Sequence, residues 1–200
     1  MDAEALEACA VMERYCDGEV AAFHRLYGML APRVLAYLSG MLADRAAAED
    51  VLQQAFMKVH ESRSAYVRGA NPIPWIYTIA HRTCLDELRK RKRSRVRLTT
   101  DGELRGGATA HITGVSEEGG QIEGPPPVAA EAMAALERLP ESQRQALILT
   151  KVHGRTVVEA ALITGSSPGA IKQRAHRAYV TLRQMLGKRD GERPAAKELA

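Results

Sequence analysis

The stretch 166–186, SSPGAIKQRAHRAYVTLRQML, decides how the chain is read. Ser167 is of the type that caps helix N-termini, and Pro168 suits the first helical position, where a missing N–H costs nothing. Behind them Ile171, Ala175, Ala178, Leu182 and Leu186 recur at spacings of three and four, one apolar helical stripe. The other faces carry Lys172, Gln173, Arg174, His176, Arg177 and Arg183, with no acid in the stretch. Just upstream, TVVEAALI at 156–163 reads as a shorter helix, and Thr164, Gly165 and Ser166 as the tight turn between the two. Helix, glycine turn and basic helix is the helix-turn-helix pattern, whose second helix enters the DNA major groove by its N-terminal end. A solvated basic helix in an ordinary bundle is the plainer reading; agreement of cap, turn and basic face favours DNA.

Working back from there, 132–139 and 141–152 are expected as two helices separated by Pro140, the second ended by His153 and Gly154. Together 128–187 form a small helical domain, followed by a polar tail at 188–200. Before it, 98–127 has neither helical nor strand period and is rich in glycine, threonine and proline. It reads as a flexible linker, and an acidic one: Asp101, Glu103, Glu117, Glu118 and Glu123 stand against Arg105. The two domains it joins are expected to tumble as loosely coupled bodies.

The N-terminal domain, 1–97, reads as a second helical bundle. Residues 4–16 suggest a short, frayed helix. Val20, Phe23, Leu26, Tyr27 and Leu30 stripe the next, and Pro32 is expected to open a further one ending near Leu42. Asp44 caps a helix over 45–61, with Val51, Leu52, Ala55, Phe56 and Val59 inward and Glu49, Asp50, Gln53 and Gln54 on the other face. Residues 62–72 are a loop by composition, carrying Arg63, Tyr66, Arg68 and Asn71, a set able to stack on bases and hydrogen-bond to them. A helix from about 74 to 92 follows, with Trp75 and Tyr77 in its first turn. It runs into RKRKRSRVR at 89–97, a basic run that repels itself unless it meets a polyanion.

Composition sets outer bounds. The 200 residues carry a formal charge of +4, which permits an acidic partner without requiring one. Few aromatics and much alanine and leucine favour helices. No apolar run is long enough to span a bilayer and the N-terminus lacks a signal-peptide pattern, so a cytoplasmic location is expected. Cys9, Cys16 and Cys84 are odd in number without C-x-x-C spacing, which argues against a disulfide framework or a metal site. Hydrolase, nucleotide-loop and metalloprotease motifs are absent, so neither catalysis nor a cofactor nor a small-molecule substrate is expected.

Several motifs, in order, carry a resemblance. Phe23-x-x-Leu26-Tyr27, Ala48-Glu49-Asp50-x-x-Gln53-x-x-Phe56, Pro74-Trp75-Ile76-x-x-Ile79-Ala80 and Asp86-x-x-Arg89 occupy the first domain. Ala135-Leu136-x-x-Leu139-Pro140-x-x-x-Arg144, Glu159-x-Ala161, Gly165-x-Ser167 and Ile171-Lys172-x-Arg174-x-x-Arg177-Ala178 occupy the second. The chain thereby resembles the extracytoplasmic-function (ECF) group of bacterial sigma factors, the subunits that direct RNA polymerase to promoters. It departs from their pattern at His81-Arg82, where arginine-asparagine is common, and in the apolar character of Val157-Val158 and of 160–162.

The resemblance implies an all-α fold of two domains, region 2 and region 4. It implies that Glu49, Asp50, Gln53, Gln54 and Phe56 meet the clamp helices of the largest polymerase subunit. A flipped base of the −10 element would be captured at 62–72, with Arg63, Tyr66, Arg68, Asn71, Trp75 and Tyr77. Arg82, Arg89, Lys90, Arg91, Lys92 and Arg93 would hold phosphates. Ser167, Lys172, Gln173, Arg174, His176 and Arg177 would face the −35 element, and the second domain would also meet the flap of the second-largest subunit. An inhibitory anti-sigma partner, in this family often membrane-bound, is also implied. Two other readings stand beside this one: a polymerase-independent helix-turn-helix repressor or activator, and a redox or metal sensor using the three cysteines.

Overall fold

The computed structural model describes residues 3–100 and 134–190. These are α1 (Ala3–Cys16), α2 (Val20–Leu42), α3 (Arg45–Glu61), a 3₁₀ turn (Arg63–Ala65), α4 (Pro72–Thr100), α5 (Glu141–Leu147), a π-helical turn (Ile148–Val152), α6 (Val157–Thr164) and α7 (Pro168–Asp190). One further helical turn covers 134–137. The described residues are all helix and connecting loop, in two domains. Most of the linker expected at 98–127, from residue 101 on, and the tail beyond 190 lie outside the described residues.

The N-terminal domain packs α1 to α4 around one another. α1 is no frayed appendage: Ala5, Ala8, Cys9, Val11, Met12 and Tyr15 are all buried. α2 runs unbroken through Pro32, where two helices were expected. An internal proline costs roughly 3 kcal/mol by removing a hydrogen bond and crowding the residue four before it. Leu26, Leu30, Val34, Tyr37, Leu38 and Met41 continue one buried stripe across the proline, and that burial outweighs the local defect.

α2 ends at Ala43, in the left-handed region at φ 53°. Asp44 then caps α3, its carboxylate accepting the Ala47 N–H at 3.1 Å. α4 begins earlier than expected, because Asn71 Oδ1 accepts the Ile73 N–H at 3.0 Å and starts the helix at Pro72. It also extends through the basic run to Thr100, arginine and lysine being good helix formers.

In the C-terminal domain α6 opens on a full capping box. Thr156 Oγ1 accepts the Glu159 N–H, and Glu159 accepts the Thr156 N–H. Gly165, at φ 64°, ends α6 and turns the chain into α7. The helix-turn-helix expected at 156–186 is therefore present with its turn where the glycine is.

The two domains do not stand apart as a flexible tether suggests. One apolar cluster joins residues of α1 to α4 with Ala146, Ile148, Leu149, Ala160, Ala161, Ile163 and Ile171. α6 lies against α4, and the π-helical turn crosses α2 at Gly40. A Cβ placed on Gly40 would sit 3.0 Å from Ile148 Cδ1, so only glycine allows this approach without displacement.

Candidate nucleic-acid and polymerase interfaces

Residues 62–71 form a loop braced from both sides. On its inner side Tyr66 is buried, donates its hydroxyl to the Ala70 carbonyl, and packs its ring 5.7 Å from that of Trp75. Arg63, Val67 and Arg68 point outward. Arg63 donates to His60 Nε2 and its backbone carbonyl, and lies 6.0 Å over the Tyr15 ring. Arg68 pairs with Asp17 at 2.5 Å, and this hydrogen bond from the guanidinium holds the Asp17 carboxyl below its ordinary range. Gly69, at φ 79°, points its N–H at Glu13 Oε1, 3.1 Å away.

α4 then carries a line of exposed cations away from this loop: Arg82, Arg89, Lys90, Lys92 and Arg93. Arg91 differs from them. It is half-buried and donates to Glu87 at 2.9 Å and to Asp44 at 3.0 Å, tying α4 to the cap of α3. Its charge serves the fold. Arg89 pairs with Asp86 one turn away, an exposed pair of little energy.

Tyr77, grouped with the base-contacting residues on sequence grounds, is buried under the second domain. Its ring lies 6.1 Å from that of His153 and has the Arg155 guanidinium 5.8 Å above it. Burial pushes its hydroxyl pKa up to about 12. In this arrangement it offers nothing to a nucleic acid. His81 is buried too, its Nδ1 2.7 Å from the Tyr37 hydroxyl, and burial pushes its pKa down to about 4. The departure at 81–82 thus has a physical sense: a neutral core histidine beside an exposed Arg82.

On α3, Glu49, Asp50, Gln53 and Gln54 form an exposed polar face, as their spacing implied. Phe56 does not belong to that face. It is buried, its ring 4.7 Å from Tyr27 and 6.4 Å from Phe23. The signal missed is Met57, which is 63% exposed beside Gln53. With Tyr27 and His60 it lines an apolar groove of about 450 Å³ next to the polar face.

In the second domain Ser167 Oγ accepts the Ala170 N–H at 3.2 Å, the cap its sequence promised. Lys172, Gln173, His176 and Arg177 are exposed along α7. Arg174 is half-buried and donates to Ser166 Oγ at 2.8 Å, bracing the turn. A second apolar groove, about 670 Å³, runs between the π-helical turn and α7, lined by Val152, Val157, Ala175, Tyr179 and Leu182 and rimmed by Lys151 and Lys172.

Cys9 and Cys84 are buried and Cys16 partly so. Cys9 and Cys16 lie two helical turns apart, about 10 Å along α1, beyond the reach of a disulfide. Among the described residues no group of three or more His, Cys, Asp or Glu is placed to hold a metal ion. None of the described helices is long and apolar enough to cross a membrane.

Comparison with known proteins agrees with this layout. Residues 26–94 match the family model for Sigma-70 region 2, and residues 129–182 that for Sigma-70, region 4. The RNA polymerase sigma factor CarQ of Myxococcus xanthus is 35% identical over 176 residues, covering 88% of this chain and 95% of CarQ. The ECF sigma factor SigF of Caulobacter vibrioides is 30% identical over 186 residues, covering 91% of this chain and 95% of SigF. Among solved structures, the sigma factor RpoE of Bartonella quintana, in complex with the anti-sigma factor NepR, is 26% identical with a TM-score of 0.65, covering 84% of this chain and 98% of that one. CnrH, in complex with the cytosolic domain of CnrY, shares the fold at 18% identity with a TM-score of 0.67, covering 90% of this chain and 97% of that one. A free-standing helix-turn-helix regulator would account for the second match alone. Two family models in order over most of the chain, and relatives aligned along nearly their whole length, mean that this chain belongs to the ECF group of sigma-70 family RNA polymerase sigma factors.

Proposed function

We propose that the chain joins core RNA polymerase and supplies both promoter contacts, region 2 at the −10 element and region 4 at the −35 element. The observation that carries the first contact is α4, one continuous helix from the Trp75 aromatic pair through Arg82, Arg89, Lys90, Lys92 and Arg93. Arg63, Val67 and Arg68 of the adjoining loop take an unpaired base, and the exposed cations of α4 hold the phosphates on either side. Tyr66 and Trp75 support the loop from beneath. Stacking suits a melted strand because every base has a π-face, and cations bind it without regard to sequence.

At the −35 element Lys172, Gln173, His176 and Arg177 reach base edges and phosphates, while Ser167 and Arg174 hold the start of α7 in position. The α3 face of Glu49, Asp50, Gln53 and Gln54, widened by Met57, docks on the clamp helices, and the groove beside Tyr179 receives the flap. The chain itself performs no catalysis; bond formation belongs to the polymerase, in the cytoplasm.

The packed arrangement is the resting form. The two promoter elements are centred about 25 base pairs apart, about 85 Å along the duplex. Domains that share one apolar cluster do not span that distance, so α6 leaves α4 when the promoter is bound, and Tyr77 is uncovered. An anti-sigma factor is the natural stabiliser of the closed form, as the sigma factor RpoE is found in complex with the anti-sigma factor NepR. Footprinting on a promoter fragment tests the reading. The chain plus core polymerase is expected to protect both elements and the chain alone neither; full protection without polymerase would overturn it.

A further inference from the structure

α1 presents one face to the loop at 62–71. Cys9, Glu13 and Cys16 of α1 recur at helical spacing, Asp17 follows in the turn just past its end, and all four touch the loop. Cys9 Sγ donates to the Ala70 carbonyl at 3.1 Å, and Cys16 Sγ approaches the Arg63 carbonyl at 3.7 Å. Glu13 accepts the Gly69 N–H at 3.1 Å, and Asp17 accepts from Arg68 at 2.5 Å. The two acids are the notable members. They lie beside a loop proposed to meet a polyanion, where an acid with no other task would only repel it. Gly69 sits at φ 79°, and Glu13 holds the peptide N–H that this left-handed turn presents. Arg68 is exposed, and its guanidinium donates to Asp17, which biases its direction toward the α1 side of the loop.

We propose that Glu13 and Asp17 are positioning residues for promoter specificity: by holding Gly69 and Arg68 they fix the shape of the loop that receives the −10 base. This rests on the reading of 62–71 as the base-capturing loop. The acids need not touch DNA. They lower the number of shapes the loop samples, so that one base fits better than the other three.

The test uses holoenzyme assembled from core polymerase and the full chain, on a promoter mapped with the wild type. Templates carry each of the four bases at each −10 position, and initial transcription rates are compared. E13A and D17A are expected to flatten the base preference at one position about 5-fold, the loss of one loop-ordering hydrogen bond. E13Q keeps an acceptor for the Gly69 N–H and is expected to retain the preference. Far-UV circular dichroism and core-binding affinity are expected to match wild type in all three. V67E, which places an acid at the 71% exposed loop tip, tests the underlying reading. If V67E alters −10 usage while E13A and D17A keep wild-type preference, the positioning role is overturned and the base-capture reading stands. If E13A and E13Q are impaired equally, the acceptor role is overturned. If V67E changes nothing, both fall together.

Discussion

Acidification from pH 7 to pH 5 is expected to cost the folded chain about 2 kcal/mol through His81 alone. Burial lowers the His81 pKa from 6.5 to about 4. The folded state therefore refuses a proton that the unfolded chain accepts. The sign follows: stability is complete above pH 6.5 and is lost as pH falls toward about 4. At pH 5 nearly all unfolded chains carry this proton and few folded ones do, which gives the figure. Burial is the larger cause, and the nearby Arg82 charge opposes the imidazolium further. His153, at the same domain junction, is shifted in the same direction by burial, then by Arg155 and Arg33. A comparison with His81→Asn separates the two. Urea unfolding of wild type and variant at pH 7 and pH 5 measures the double difference, in which the carboxylates and His153 cancel. The wild type should lose about 2 kcal/mol more than the variant over this interval. Equal losses would show that His81 is protonated in the folded chain and refute the reasoning.

Two further outcomes follow from the packing and the charge layout. Gly40→Val places a branched side chain against Ile148 and is expected to part the domains; small-angle scattering should show a larger radius of gyration with unchanged helical content, and an unchanged radius would count against the shared cluster as the joint. Lys172→Ala and Arg177→Ala should weaken holoenzyme binding at the −35 element and each reduce the salt slope by about 1, while Arg174→Ala, whose partner is Ser166, should act through the turn and lower the melting temperature of the domain.

The helix-turn-helix and the bounds of α3 were legible in the sequence because each end carries its own chemistry. Asp44 and Ser167 are side-chain caps, and Gly165 supplies the left-handed turn. Pro32 misleads for the opposite reason: it is a local signal against helix, and only the tertiary stripe running past it overrides it. The aromatic site residues were half legible. Tyr66, Trp75 and Tyr77 announce a special region, but periodicity does not say whether an aromatic ring faces a base or the core. Tyr77 turns inward because a second domain covers it, and no local pattern encodes that cover. Arg91 and Arg174 show the same limit for charge. A run of cations reads as one surface, yet two members are spent on Asp44, Glu87 and Ser166. The face formed by α1 and the turn just past its end was hidden because its four members, two cysteines and two acids, look unrelated until the loop is seen across from them.

The membership of the chain in the ECF sigma factors is tested most directly by run-off transcription with purified core RNA polymerase, this protein and a pool of genomic fragments, with transcript starts sequenced. Discrete starts are expected that depend on the protein and share motifs near −35 and −10, and they are lost in the combined Lys172→Ala and Arg177→Ala variant. A folded protein that binds core polymerase, yet gives no dependent starts or gives starts indifferent to those substitutions, would contradict it.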